Sequence, residues 1–356
     1  MIKFRLMFDP RSLSGLLRHH EHVFQNLSHV EDALNARFVG MEEQIHGLVL
    51  AVASGEPMLL VGPPGCAKSR LVRAFCGVVG LIDEDRPEAK SDDYFEYLLT
   101  PFTEPGELFG FYDIAELYKG AEGKGLVRDD AGMLQHCRVV FLDEVFNASS
   151  AVLNSLLSIM NEGFFHDRGK HTRVRLRNLF AATNYVPETA ALRAFYDRFL
   201  LRCDVTNLAA GERFPQKLHR LVEAGWRETY SHHPKQETLV QLIDQLDLFR
   251  QHVRQLTDQR YLVPKSDDPF FRNLAQLVAH AREYELSAMS NRRIIKLTHV
   301  MLVHRLYRAV RDGASDGMSF GEPELHLVRR YALDHVHDAR AVAHMERLVE
   351  PMGQAR

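Results

Sequence analysis

Apolar and polar positions along the chain follow two regimes. Up to about residue 207, short apolar runs alternate with stretches of helical spacing, and from residue 208 onward helical spacing stands alone. The runs 58–61 (MLLV), 94–99, 138–142 (RVVFL), 178–183 (NLFAAT) and 200–205 read as strands. Those at 138–142 and 178–183 are apolar enough to be buried on both faces, as parallel strands between helices are. Residues 12–36 place Val23, Leu27, Val30 and Leu34 at helical spacing, predicting an amphipathic helix or helix pair, and 42–54, 149–161 and 190–199 are also predicted helices. Residues 164–176 alternate across the polar turn Asp167-Arg168-Gly169-Lys170, which predicts a β-hairpin. Farther on, helices are predicted over 209–230, 236–256, 270–284 and from Ser290 through 311, with a Pro/Asp-containing connector at 263–269. Glu322-Pro323-Glu324 opens a final helix, and the tail beyond Asp338 carries little pattern. The expected division is a helical extension (1–37), an α/β core with a parallel sheet (38–207) and an all-α domain (208–356).

Composition narrows the class without identifying it. A chain of 356 residues, 46% hydrophobic and 26% charged, is long enough for two domains with ordinary globular cores. A formal charge of −3 gives no global field that would point to nucleic acid or an anionic membrane. No apolar run is long enough to span a bilayer and the opening MIKFRLMFDPR lacks a signal-peptide core, so a cytoplasmic location is expected. Cys66, Cys76, Cys137 and Cys203 form no CxxC pair and read as buried thiols. Cys66 is either a small space-filler or a thiol whose pKa is lowered by an anion-binding loop. The histidines, His19-His20 and His232-His233 included, lack an HExxH-like arrangement and read as surface or core residues.

The chemistry concentrates where the first strand ends. After Val61 come Gly62, Pro63, Pro64, Gly65, Cys66 and Ala67, and then Lys68-Ser69 opens a helix that continues through Leu71. This is a P-loop in its strand–turn–helix context. Small residues let backbone N–H groups wrap phosphates, the lysine spans the outer phosphates, and the serine ligates Mg²⁺. Ala67 stands where the consensus has glycine, and the extra methyl is tolerable if that residue already has helical backbone angles. Asp143-Glu144 ends the 138–142 strand; Asp143 would hold Mg²⁺ and Glu144 would polarise the attacking water of ATP hydrolysis. Asn184 ends the 178–183 strand, placed to bond the terminal phosphate or its water. Val39-Gly40 is either an adenine contact or a plain strand-to-helix turn. Arg198 either reaches a neighbouring subunit's phosphates or forms a surface ion pair with Asp197. Arg292 in the first turn of the Ser290 helix opposes the helix dipole and calls for an anion, with Arg293 the second candidate. Arg173, Arg175 and Arg177 alternate on the hairpin's returning strand, as either a solvated face or a nucleic-acid contact.

With GPPGCAKS, EPGELFG, VVFLDEVFNASSAVLNSLLSIMNEGFF, LFAATNYVPE, ALRAFYDRF and SNRR in this order, the chain resembles AAA+ ATPases of the MoxR family, its RavA-like branch in particular. The resemblance implies an αβα core with a helix-two insert (104–111), a pre-sensor hairpin (164–176) and a helical lid. It makes Asn184 sensor one, Arg198 an arginine finger acting in trans and Arg292 sensor two. It implies ATP and Mg²⁺, a ring with the hexamer as the expected size, and a protein client, often reached through a von Willebrand factor A protein. A nucleic-acid motor and a magnesium-chelatase-like motor subunit are the alternatives within the same clade. Relative to RavA, the chain is expected to end soon after the lid, without an accessory β-rich domain, and to carry a longer segment over 208–256.

Overall fold

In the computed structural model the chain forms nine strands among the described residues, which are 8–86, 91–118, 127–167, 169–187, 189–208, 214–232, 239–262, 269–313, 318–334 and 339–349. They are β1 (Met58–Val61), β2 (Tyr94–Leu98), β3 (Phe111–Tyr112), β4 (Arg128–Asp129), β5 (Val139–Asp143), β6 (Phe164–Asp167), β7 (Lys170–Arg173), β8 (Asn178–Thr183) and β9 (Leu201–Asp204). The helices are α1 (Pro10–Arg37), α2 (Glu42–Ser54), α3 (Lys68–Val78), α4 (Pro105–Phe109), α5 (Ile114–Tyr118), α6 (Ser150–Glu162) and α7 (Ala190–Tyr196). After β9 come α8 (Phe214–Tyr230), α9 (Leu242–Asp258), α10 (Pro269–Glu283), α11 (Asn291–Arg311), α12 (Glu322–Tyr331) and α13 (Ala339–Val349). Arg168 of the hairpin turn, residues 209–213 and 236–238 of two predicted helices, and residues 263–268 of the connector lie outside the described residues.

The main sheet has the order β2-β5-β8-β1-β9 and every pairing in it is parallel. From β1 the chain crosses to the far edge at β2, returns through β5 and β8 to lie beside β1, and then passes over β1 to β9. The reversal at β1/β8 opens a crevice at the carboxyl ends of the strands, where α/β sheets bind ligands. Strand periodicity sorts the side chains into two cores. Met58, Leu60, Phe141 and Phe180 face the larger one, with α1, α2, α3 and the C-terminal helices, while Leu59, Val140, Leu142 and Ala181 face the smaller one beneath α6 and α7.

α1 lies on α2, α9 and α11 and wholly buries Val23, Leu27, Val30 and Leu34. α9 fastens to the amino ends of the strands. Asp244 accepts from Arg138 at 2.8 Å, Asp247 pairs with Arg177, and Arg250 donates to the carbonyls of Val52 and Ala53.

Two sequence expectations change. The hairpin's returning strand stops at Arg173, so the three arginines do not share one strand face. Arg177 pairs with Asp247, and Arg175 lies 3.4 Å from Asp93, which Arg138 also holds. The chain also does not end its order at α12: α13 packs on α10 and α12, burying Val342 and Met345.

Candidate functional site

The P-loop leaves β1 at Val61 and delivers Lys68 to the first turn of α3. Gly62 is required by packing, because a Cβ there would lie 2.0 Å from the carbonyl oxygen of Val205, the residue just past β9. Gly65 is required by backbone, with φ +84°. Ala67 departs from the sequence expectation: its angles are left-handed (φ 59°, ψ 22°), so its methyl sits in a conformation that disfavours any Cβ. Leu71 is wholly buried in the larger core and supports the loop from beneath. Cys66 Sγ donates to Asn207 Oδ1 at 3.3 Å, and Gly40, with φ +75°, is so close to Leu208 that a Cβ would meet its side chain at 3.1 Å. The 38–40 turn and the P-loop therefore converge on the segment just after β9.

Lys68, 6% exposed, donates to Gly62 O at 2.6 Å, Pro63 O at 3.0 Å and Asn184 Oδ1 at 3.0 Å. Asn184 in turn donates through Nδ2 to Glu144 Oε1. Ser69 Oγ donates to Asp143 Oδ2 at 2.8 Å, and the Glu144 N–H donates to Asp143 Oδ1 at 3.0 Å. The ends of β1, β5 and β8 thus supply one connected set: ammonium, amide, two carboxylates and a hydroxyl. Glu144 itself is left-handed (φ 52°, ψ 44°), a strained turn of the kind found where a side chain must be aimed. Burial and the neighbouring Asp143 charge raise its pKa above the usual carboxylate value, with Lys68 pulling it down. The donor set fits a phosphate chain with a divalent ion. A buried lysine and the N-terminal amides of α3 suit phosphate oxygens, and the Ser69–Asp143 pair offers two oxygens suited to Mg²⁺.

Arg198 and Arg292 are not part of this set. Arg198 precedes β9, whose first residue, Leu201, pairs with Met58 at the start of β1, so it lies at the amino end of the sheet. Its Nε donates to Asn161 Oδ1 at 2.9 Å, and Arg292 Nη1 donates to the same oxygen at 2.7 Å. Burial and the Arg292 charge hold Arg198 below the usual guanidinium pKa. Its contact with Asp197 is a loose 3.9 Å, and Asp197 accepts at 3.1 Å from Ser290, the N-cap of α11. Arg293 is engaged inside the helical part. It is 1% exposed and donates to Ser287 Oγ at 2.9 Å, Asp334 Oδ1 at 3.0 Å and Ala332 O at 3.0 Å. Sequence reasoning missed Asn161 and Asn207. Each is a lone polar residue whose partner lies far along the chain, and no local pattern marks it.

The insert and the hairpin form one unit. Asp167 of β6 accepts from Arg128 at 2.8 Å and from the Tyr112 hydroxyl at 2.7 Å, Arg128 stacks 4.1 Å from the Tyr112 ring centroid, and Phe109 stacks on Phe165 at 4.3 Å. Phe111 at the end of the insert and Ile114 just after it are exposed.

Residues 25–251 match the family described as the MoxR domain in the MoxR–vWA–β-propeller ternary systems. The chain is 37% identical over 190 residues to an uncharacterized protein of Methanocaldococcus jannaschii, covering 53% of this chain and 46% of that one. It is 36% identical over 197 residues to a second uncharacterized protein of that organism, covering 55% and 48%. The chain thus spans about half the length of the curated relatives it matches. A crystal structure of a candidate ATPase from Cytophaga hutchinsonii shares the fold, with a TM-score of 0.62 and 17% identity over 95% of this chain and 98% of that one. Among the described residues no helix is long and apolar enough to cross a membrane.

Proposed function

The chain belongs to the MoxR-domain family of the MoxR–vWA–β-propeller systems, with an AAA+ αβα core and a helical C-terminal part, and from that premise we propose that it is a ring-forming ATPase that remodels a protein client. One observation carries the ring. Arg198 and Arg292 stand together on Asn161 at the amino end of the sheet, whereas Lys68, Asp143, Glu144 and Asn184 gather at the carboxyl ends. Two arginines sharing one neutral acceptor carry charge that an incoming anion would neutralise. A strand of four to six residues separates the two ends by roughly 13–20 Å, so the pair suits a neighbouring subunit's phosphates better than its own.

In this reading Lys68 and the α3 amides bind the phosphates, and Glu144 orients and polarises the water that attacks the γ-phosphoryl group. Asn184 fixes Glu144 through its amide nitrogen and Lys68 through its amide oxygen. Mg²⁺, held by Ser69 and Asp143, would supply charge neutralisation between the phosphates. The neighbour's Arg198, with Arg292 beside it, would stabilise the charge on the transferring group. Motion of the C-terminal lid (208–356) against the core (38–207) would then move the insert and hairpin, and the exposed Phe111 and Ile114 are the client-facing candidates. The family's description, which names MoxR–vWA–β-propeller systems, supports a von Willebrand factor A partner for this chain. The ion pairs that engage Arg175 and Arg177 weigh against the nucleic-acid motor.

The test is ATP turnover and sizing in ATP for wild type, Glu144→Gln and Arg198→Ala. Both substitutions should abolish turnover, Glu144→Gln should accumulate a larger assembly, and Arg198→Ala mixed with wild type should recover activity in mixed rings. Turnover by a monomer indifferent to Arg198 would rule out the shared site.

A further inference from the structure

On the face of the molecule where α1 crosses α9, three histidines converge. His19 and His20 are consecutive on α1, and His252 comes from α9. One ring nitrogen from each lies within 4.8 Å of the others, and His20 Nε2 is 3.0 Å from His252 Nδ1. Consecutive residues of a regular α-helix point about 100° apart and do not share a target. Here α1 is broken at His20 (φ −119°, ψ 17°), and the break lets both rings turn toward α9. The ring centroids are 4.8 Å apart for His19–His20 and 5.2 Å for both His19–His252 and His20–His252, and the rings are tilted or edge-on to one another. A tetrahedral ion with metal–nitrogen bonds of about 2.0–2.1 Å holds its imidazole centroids about 5 Å apart and its nitrogens about 3.3 Å apart. The centroid spacings already match that geometry and the His20–His252 nitrogens, 3.0 Å apart, are close to it, while nitrogens up to 4.8 Å apart must close by up to about 1.5 Å, a movement within reach of ring rotation about the side-chain torsions.

The surroundings suit such a site. His20 is 4% exposed and rests edge-on against Phe249 at 5.4 Å, which in turn meets Phe24 at 5.2 Å, so the buried ligand has an apolar floor. His19 is exposed and leaves a path for an ion. The rings border a cavity of about 460 Å³ whose wall carries Gln245, Gln251 and Gln255, amides suited to an outer shell of hydrogen bonds.

We propose that His19, His20 and His252 form a metal site for Zn²⁺ or a similar borderline divalent ion, with three neutral imidazole ligands and a fourth position open to the cavity. The ion would clip α1 to α9, and α9 is the helix whose Asp244, Asp247 and Arg250 hold the amino ends of the strands. The site lies apart from the nucleotide residues and stands or falls separately from the ATPase reading. It escaped the sequence analysis because the third ligand is 232 residues from the second.

The test uses the full chain with any affinity tag removed, titrated with Co²⁺ and with Zn²⁺ alone. The expected result is one tetrahedral cobalt spectrum per chain, displaced by zinc, and a Tm raised by about 3–4 °C at a hundredfold excess of zinc over its dissociation constant. His19→Ala and His252→Ala should each abolish the cobalt spectrum and the Tm shift, while His232→Ala, at an exposed position elsewhere, should keep both. Unfolding in metal-free buffer checks that the variants are folded; His19, being exposed, is the substitution least able to disturb the core. A wild type that gives no tetrahedral cobalt spectrum, or variants that bind zinc as the wild type does, would overturn the assignment.

Discussion

Ala67→Gly tests whether the P-loop carries backbone strain. At φ 59° and ψ 22°, Ala67 holds a left-handed conformation just before the first residue of α3. For a residue with a Cβ that conformation costs about 1–2 kcal/mol. Glycine removes the cost but gains freedom in the unfolded chain, which returns about 0.4–1 kcal/mol. The expected net effect is a stabilisation of about 0.5–1 kcal/mol, or an upward shift of about 0.2–0.3 M in the urea midpoint for an m-value near 3 kcal/mol/M. Nucleotide affinity should be retained, because the N–H groups of the loop are unchanged. Gly62→Ala is the opposing control. Its Cβ would lie 2.0 Å from a main-chain oxygen of Val205, which cannot rotate aside, so the loop must move and nucleotide binding should be lost. An unchanged or lowered midpoint for Ala67→Gly would refute the strain argument.

Three further outcomes follow from the contacts. Arg293→Ala should destabilise the protein by about 3 kcal/mol by removing a buried charge from its partners, whereas Arg292→Ala should stay within about 0.5 kcal/mol of wild type; urea unfolding distinguishes the pair, and the reverse order would misassign the two. Arg128→Ala should release β3 from the hairpin, seen as faster hydrogen exchange in residues 111–113 and 164–167 together, and exchange that rises in only one segment would show that the two are not tied. α8 has no buried residue and is held by Glu228, which accepts from Arg37 at 2.8 and 2.7 Å and from Arg70 at 2.6 Å. Burial raises the Glu228 pKa, but the bonds and charges of Arg37 and Arg70 outweigh it and the value is lowered. Its stabilisation is therefore present above the ordinary carboxylate pKa of about 4.3 and lost as pH falls through the depressed value. The single tryptophan, Trp226, lies on α8 and is 64% exposed, so its fluorescence anisotropy should hold from pH 7 to 5 and fall below about pH 4, while Glu228→Gln should lower it throughout.

The elements that were legible in the sequence are those specified locally. β1, β5 and β8 could be read because strands buried on both faces must be apolar throughout, and the β6–β7 hairpin because its polar turn interrupts an alternation. The gathering of Lys68, Ser69, Asp143, Glu144 and Asn184 was foreseeable because each sits at the end of such a strand or just beyond it. The backbone of Ala67 was not, since a single alanine carries no sign of its φ. The short helix α13 offers only Val342, Met345 and Leu348 as a periodic stripe, too little to stand out from a polar tail. The arginines misled for a different reason. Alternation at 173, 175 and 177 is a local signal, but the carboxylate partners of Arg175 and Arg177 are Asp93 and Asp247, which no local pattern could bring near.

α6 gives these contacts a mechanical reading. Its N-cap, Ser149, is five residues beyond Glu144 and donates to Thr103 O at 3.4 Å beside the insert. Twelve residues later, about 18 Å along the axis, Asn161 holds Arg198 and Arg292, and Gly163 turns the chain into β6. From β6, Asp167 ties back through Arg128 to the insert. The contacts close a circuit, insert to α6 to hairpin to insert, and the strut within it buries Val152, Leu153, Leu156 and Ile159 in the smaller core. A double-mutant cycle of Arg128→Ala and Asn161→Ala on ATP turnover measures whether the circuit transmits. Arg128 ties the hairpin to the insert and Asn161 holds the arginine pair, so without transmission their effects would add within about 0.3–0.5 kcal/mol. A coupling of about 0.5–2 kcal/mol would show that the arginine pair and the insert sense one another. Additivity would reduce the circuit to packing and leave the insert's motion to be driven by the helical C-terminal part alone.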